Sequence, residues 1–211
     1  MRQAPLRTIS RAVAFGLCVL LCGSCGTVVR QGRGASYLII DMLSAASGAT
    51  PGEFGNVLQS DVITNVTVPG GGVAPTFFED NGQALFRLAL KDIGTPSGPT
   101  TNNEITITSY RVTFTRADGR NTPGVDVPYP FDGAATGTVK VGGVQTTLQF
   151  VIVRAQAKLE APLAALRGMG GAVIISTIAE VTFYGHDQVG NQVNVTGTIS
   201  VNFADWADPS S

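Results

Sequence analysis

Residues 192–203 set the strictest condition on how this chain can fold. Val193, Val195, Ile199, Val201 and Phe203 share one parity, and Asn194, Thr196, Thr198, Ser200 and Asn202 share the other. Successive side chains of a strand point to opposite faces, so this segment has one apolar face and one polar face. The apolar face must pack against a second layer. A slip of one residue would turn all of it to water, so the register is tightly specified. Gly197 interrupts the apolar face, where a bulge or the close approach of another backbone is expected.

The rest of the chain supplies partners for that strand. Residues 172–184 pair with it in a hairpin about Asp187-Gln188-Val189-Gly190-Asn191. Further strands are expected at 36–43, with Leu38, Ile40 and Met42 on one face, and at 56–68 and 84–90. In 104–115 the apolar parity changes between Ile107 and Tyr110, which predicts a bulge near Ser109 or a strand crossing between sheets. Gly142-Gly143 predicts a hairpin joining 136–141 to a central, doubly covered strand at 144–155. Residues 69–75, with Gly70-Gly71-Gly72, read as a flexible connection, and 121–132, with three prolines, as a long irregular excursion. One short helix is expected at 162–167, opened by Pro162 and closed by Gly168. The sum is an all-β fold, an antiparallel two-sheet sandwich with one short helix. It occupies residues 35–206 as a single domain, with 207–211 as a tail. The hairpin at Gly185-His186-Asp187-Gln188-Val189-Gly190-Asn191 resembles the late hairpin of bacterial immunoglobulin-like domains. That resemblance implies an immunoglobulin-like sandwich, although the Cys…Trp…Cys signature of antibody domains is absent.

At the other terminus, Arg2, Arg7 and Arg11 precede a short apolar run from Val13 to Leu21. A basic start, an apolar run too short to span a bilayer and a small-residue exit describe an export signal over residues 1–24. Leu21-Cys22-Gly23-Ser24-Cys25 resembles the lipobox of bacterial lipoproteins, whose final cysteine is diacylated and becomes the mature N-terminus. The resemblance implies lipidation of Cys25, a membrane partner through that acylated residue, and a lipidated tether at 25–34. In a host with two membranes, Gly26 further resembles the pattern that sorts such proteins to the outer membrane.

Composition narrows the function by exclusion. The 14 basic and 15 acidic residues become 11 and 15, a balance of −4, once Arg2, Arg7 and Arg11 leave with the signal. No basic cluster remains, which argues against nucleic-acid binding. Cys18, Cys22 and Cys25 all lie in the export region, so a cysteine nucleophile, a disulfide and a cysteine-based zinc site are excluded from the exported domain. His186 is the sole histidine, too little for a serine triad lacking a Gly-x-Ser-x-Gly elbow. His186 and Asp187 are adjacent in a strand and point apart, so a turn aspartate explains the pair better than catalysis. Glu79-Asp80-Asn81 and Asp187 with Asn191 offer oxygens, yet their spacing does not match a calcium loop. No cofactor or metal is expected. The leading expectation is a non-enzymatic, lipid-anchored envelope protein that binds an envelope protein or glycan or serves a structural role. A carbohydrate- or surface-binding module is the alternative, with Phe77, Phe78, Tyr129 and Trp206 as ligand contacts. A small envelope enzyme is the third. Phe131 shares the loop setting of those aromatics, and burial as plugs at the sandwich ends is the competing role for all of them.

Overall fold

Alternating Val, Ile, Thr and Phe become strands in the computed structural model, which describes residues 34–91 and 100–206. The smaller sheet contains β1 (Ser36–Ala46), β5 (Asp80–Leu90) and β8 (Thr146–Val153), in the order β1-β5-β8. The larger contains β2 (Val57–Asp61), β6 (Ile105–Thr115), β7 (Phe131–Val139), β9 (Ile175–Asp187) and β10 (Gln192–Ala204). Its order is β2-β10-β9-β6-β7. β3 (Thr64–Val68) and β4 (Gly72–Thr76) form a separate two-stranded ribbon. All pairings between these strands are antiparallel except that of β2 with β10, which is parallel and departs from the wholly antiparallel expectation. The signal segment, Cys25, the tether before Gly34 and the 207–211 tail lie outside the described residues.

The core forms where the two sheets face each other. Phe86 and Phe150 of the smaller sheet meet Phe183 of the larger edge-on, with ring centroids 4.9 and 5.1 Å apart. Tyr110 joins them 5.1 Å from Phe150, and Phe203 packs 5.6 Å from Phe114. Large rings are accommodated by glycines. The Phe150 ring comes within 2.3 Å of where a Cβ on Gly82 would fall, and the Tyr110 ring within 2.2 Å of the same point on Gly133. Any side chain there would displace the aromatic centre.

β10 alternates as expected: Ile199, Val201 and Phe203 are buried, Val193 and Val195 are half-buried, and the polar parity is largely exposed. Gly197 marks no bulge, since the register with β9 runs unbroken from Gln192 to Phe203. What approaches it is a side chain, Ile40, whose Cδ1 lies 3.1 Å from a Cβ built on Gly197. In β6 the register shifts between Ile107 and Ser109 against both neighbours, so the expected bulge is present, with Thr108 as the extra residue against β9.

Several expectations are corrected. Gly142-Gly143 does not join a hairpin, because β7 and β8 belong to different sheets and the chain crosses between them there. Positive φ at both glycines sets a tight turn but does not determine which strand the next arm pairs with. β8 is therefore an edge strand instead of a central one. Gly70 and Gly71, with φ of 107° and 85°, close the β3–β4 hairpin, so 69–75 is a regular turn and strand in place of a flexible connection. β1 carries a bulge between Ile40 and Met42, which moves Met42 off the inward face and leaves it 52% exposed. The helix expected at 162–167 is a 3₁₀ turn, Leu163–Leu166, capped by Pro162. The one α-helix among the described residues is α1 (Ala155–Leu159), which follows β8 directly. Its Ala-Gln-Ala-Lys-Leu sequence consists of strong helix formers, and it begins where the expected strand had its last residue.

Candidate functional site

The strand directions divide the features of interest between the two ends of the sandwich. Gly34, just before β1, sits beside the β9–β10 turn: a Cβ there would lie 3.7 Å from an Asp187 carboxylate oxygen and 3.8 Å from Val193. β1 then runs to Ala46 at the opposite end, where it pairs with Asn81. That far end gathers the loops after β1, the β3–β4 ribbon, the start of β5, and α1 with the 3₁₀ turn. The ribbon segment from Val62 to Thr76 has no charged residue, and Val66, Val68 and Val73 on it are exposed.

The loop aromatics singled out by sequence lie outside the strands. Phe77 is half-buried under the Arg167 guanidinium, 4.6 Å from its ring centroid. Phe78 is 36% exposed and backs onto Gly48, with its Cβ 2.4 Å from where a Gly48 Cβ would fall. Tyr129, 52% exposed, lies over Gly124. Trp206 is half-buried and donates its backbone N–H to Asp61 Oδ1 at 3.0 Å. No two of these four rings are in contact. Phe131 has left the loop class: it is buried in β7, edge-on to Tyr110 at 6.2 Å, with Arg154 over its ring.

The far end also buries a charged cluster. Asp80 opens β5 with no exposure, and Lys158 of α1 is 1% exposed. Lys158 Nζ donates to Asp80 Oδ1 at 2.8 Å, Ser60 Oγ to Oδ2 at 2.6 Å, and the Gly48 N–H to Oδ1 at 2.8 Å. One carboxylate thus joins the β1–β2 loop, β2, β5 and α1. Burial pushes the Asp80 carboxyl up, against the opposing pull of the Lys158 charge and the donated hydrogen bonds. Beside it, Asp61 accepts from Thr64 Oγ1 at 2.6 Å and from Trp206, and burial raises it as well. Both Asp80 oxygens are engaged by protein donors, which makes it a cross-link between segments and a poor ligand for a metal ion. Glu79, next in sequence, is exposed. Among the described residues, no group of three or more His, Cys, Asp or Glu side chains could hold a metal.

No family model, curated protein or solved structure matches this chain.

At the near end, Asp187 is turned inward and closes the hairpin. It accepts from the N–H groups of Val189 and Asn191 at 3.1 and 2.8 Å and from Asn191 Nδ2 at 2.7 Å. His186 points out from the same strand, so the two side chains diverge as their adjacency required. A groove of about 260 Å³ lies on the outer face of the larger sheet beside them, lined by residues of β6, β9 and β10. The bulge at Thr108 interrupts the sheet at this point. Gly185 makes the interruption possible, since a Cβ there would come within 2.3 Å of the Thr106 carbonyl oxygen.

Sequence reasoning missed both the cluster and the groove. Asp80 carried a readable signal, because it shares the inward parity of Gly82, Ala84 and Phe86. A charge on an apolar parity asks for a buried partner. Lys158 carried none, as a lysine in a short polar helix usually faces water. The groove depends on a three-strand register, and the parity change in β6 was its only trace.

Proposed function

We propose that this chain is a non-enzymatic, lipid-anchored envelope protein built on an immunoglobulin-like sandwich, of partner-binding type. Support comes from the direction of β1 and the placement of the loops. The domain begins beside the β9–β10 turn, and the uncharged ribbon with the exposed Phe78 lies at the opposite end. A sandwich tethered through residues just before Gly34 would hold that end away from the membrane, where a partner could reach it. Strand order supports the immunoglobulin-like reading. Matching β1, β5 and β8 to A, B and E, and β6, β7, β9 and β10 to C, C′, F and G, gives sheets A-B-E and G-F-C-C′. The β2 strand then continues the first strand onto the second sheet, and the ribbon is an insertion before B. In this reading membrane attachment is through the acylated Cys25. Metabolic labelling with a palmitate analogue should mark the wild-type protein and leave Cys25→Ser unmarked, with Cys22→Ser labelled as wild type. Label retained in Cys25→Ser would refute the anchor.

A further inference from the structure

We propose that the groove beside the β6 bulge is a binding site for a neutral saccharide, with Tyr184 as its stacking platform. The proposal does not rest on the lipid anchor, and it places sugar binding on the sheet, away from the loop aromatics. Tyr184 and His186 are two residues apart on β9 and share its outer face. Across the ladder Asn194 of β10 stands opposite Tyr184, and Gln192 opposite His186. On the other side Ser109 of β6 stands opposite Tyr184, with the bulged Thr108 next to it. These six side chains line one concavity of about 260 Å³.

The chemistry of the lining selects the ligand. Tyr184 is 38% exposed in a row of polar neighbours, where a tyrosine is not needed for the core. An exposed aromatic face beside hydrogen-bonding groups suits a ring that is apolar on one side and hydroxylated at its rim, which describes a pyranose. The side chains of Ser109, Tyr184, Gln192 and Asn194 make no hydrogen bonds within the described protein, so their donors and acceptors are open to a ligand. His186 engages only Nδ1, 3.0 Å from the Asp187 carbonyl oxygen, which leaves Nε2 open. No acidic or permanently cationic side chain lines the groove. Asp187 is turned inward and engaged by its own turn, and Arg111, further along β6, is held by both oxygens of Asp132. A phosphate or carboxylate ligand would find no permanent countercharge there, and a lipid tail would leave the polar groups unpaired. The volume admits roughly one sugar ring, so a longer glycan would lie across the sheet with one residue seated.

The test uses the full-length protein in a detergent without a sugar headgroup, titrated with maltohexaose, cellohexaose and hexa-N-acetylchitohexaose at neutral pH. At least one should perturb the backbone amides of β6, β9 and β10 around the groove, saturating at millimolar concentration or below. Tyr184→Ala should weaken that binding about tenfold or more, while Tyr184→Phe stays within about threefold. Unchanged melting temperatures in both variants would separate lost binding from lost fold. Absence of any perturbation by all three sugars at about 10 mM overturns the proposal. Binding unaffected by Tyr184→Ala overturns it equally, even where the anchor at Cys25 is upheld.

Discussion

Each end of the sandwich buries an aspartate, and the two are stabilised in opposite ways. Asp187 takes its three donors from residues two and four positions ahead in the same turn. Asp80 takes its donors from residues 20, 32 and 78 positions away, one of them a charged lysine. The first carboxylate organises a hairpin that local chemistry would favour anyway. The second can be stabilised only after most of the domain has assembled. One end is therefore closed by local structure, and the other by a cross-link whose loss leaves a charge stranded in the interior.

The largest expected effect comes from breaking the cross-link on one side. Lys158→Met leaves Asp80 buried without its countercharge and should cost about 3–5 kcal/mol in urea unfolding. Adding Asp80→Leu should restore only part of that loss, because no countercharge is then needed but the Ser60 hydroxyl and the Gly48 N–H lose their acceptor. A single-variant loss below about 1 kcal/mol would mean that the lysine does not hold the far end together.

Asp187→Ala should cost less, about 1–3 kcal/mol, by leaving turn donors unpaired. The damage should stay local. Amide exchange at Val189 and Asn191 should accelerate while that of β5 is unchanged, and acceleration at both ends would erase the contrast between them.

The smallest effect is one of pH. Burial lifts Asp61 above its ordinary 3.8, so the folded protein holds that proton more tightly than the unfolded chain. Ionisation of Asp61 then works increasingly against folding as pH rises from about 4 through the raised value. Asp61→Asn lacks this dependence, so the stability difference should move in favour of the variant as pH rises across that window. Asp118, held well below its usual range by Arg116, and Asp41, held low by Arg87, titrate alike in both proteins and cancel. A difference that is flat with pH, or that moves the other way, would show that Asp61 is not raised by burial.

These contrasts also explain how much of the molecule could be read from its residues. The β9–β10 hairpin, its Asp187 turn, the alternation of β10 and the β6 bulge all rest on neighbours a few positions apart, and each is legible. The sandwich follows from them, because an apolar face requires a second layer. The assignment of β8 to an edge was not legible, since Gly142-Gly143 fixes a local bend and the sheet it leads to is decided by distant strands. Met42 misled for a related reason: the bulge in β1 inverts its parity, and no residue pattern announces it. The Lys158–Asp80 pair and the Tyr184 groove lie furthest from reach, because each needs segments far apart in sequence to be placed in space first.

The position of β1 has a mechanical consequence for a chain held at Cys25. Tension from the membrane would enter at Ser36 and run along the strand axis, while the antiparallel bonds from β1 to β5 lie across it. Such a pull loads the ladder in shear, like a lap joint, and its bonds share the force instead of opening one after another. β5 is the middle strand of its sheet, so the load passes next into β8 and the interior. The first strand of the domain would then act as a strain-bearing splice between the tether and whatever the far end grips.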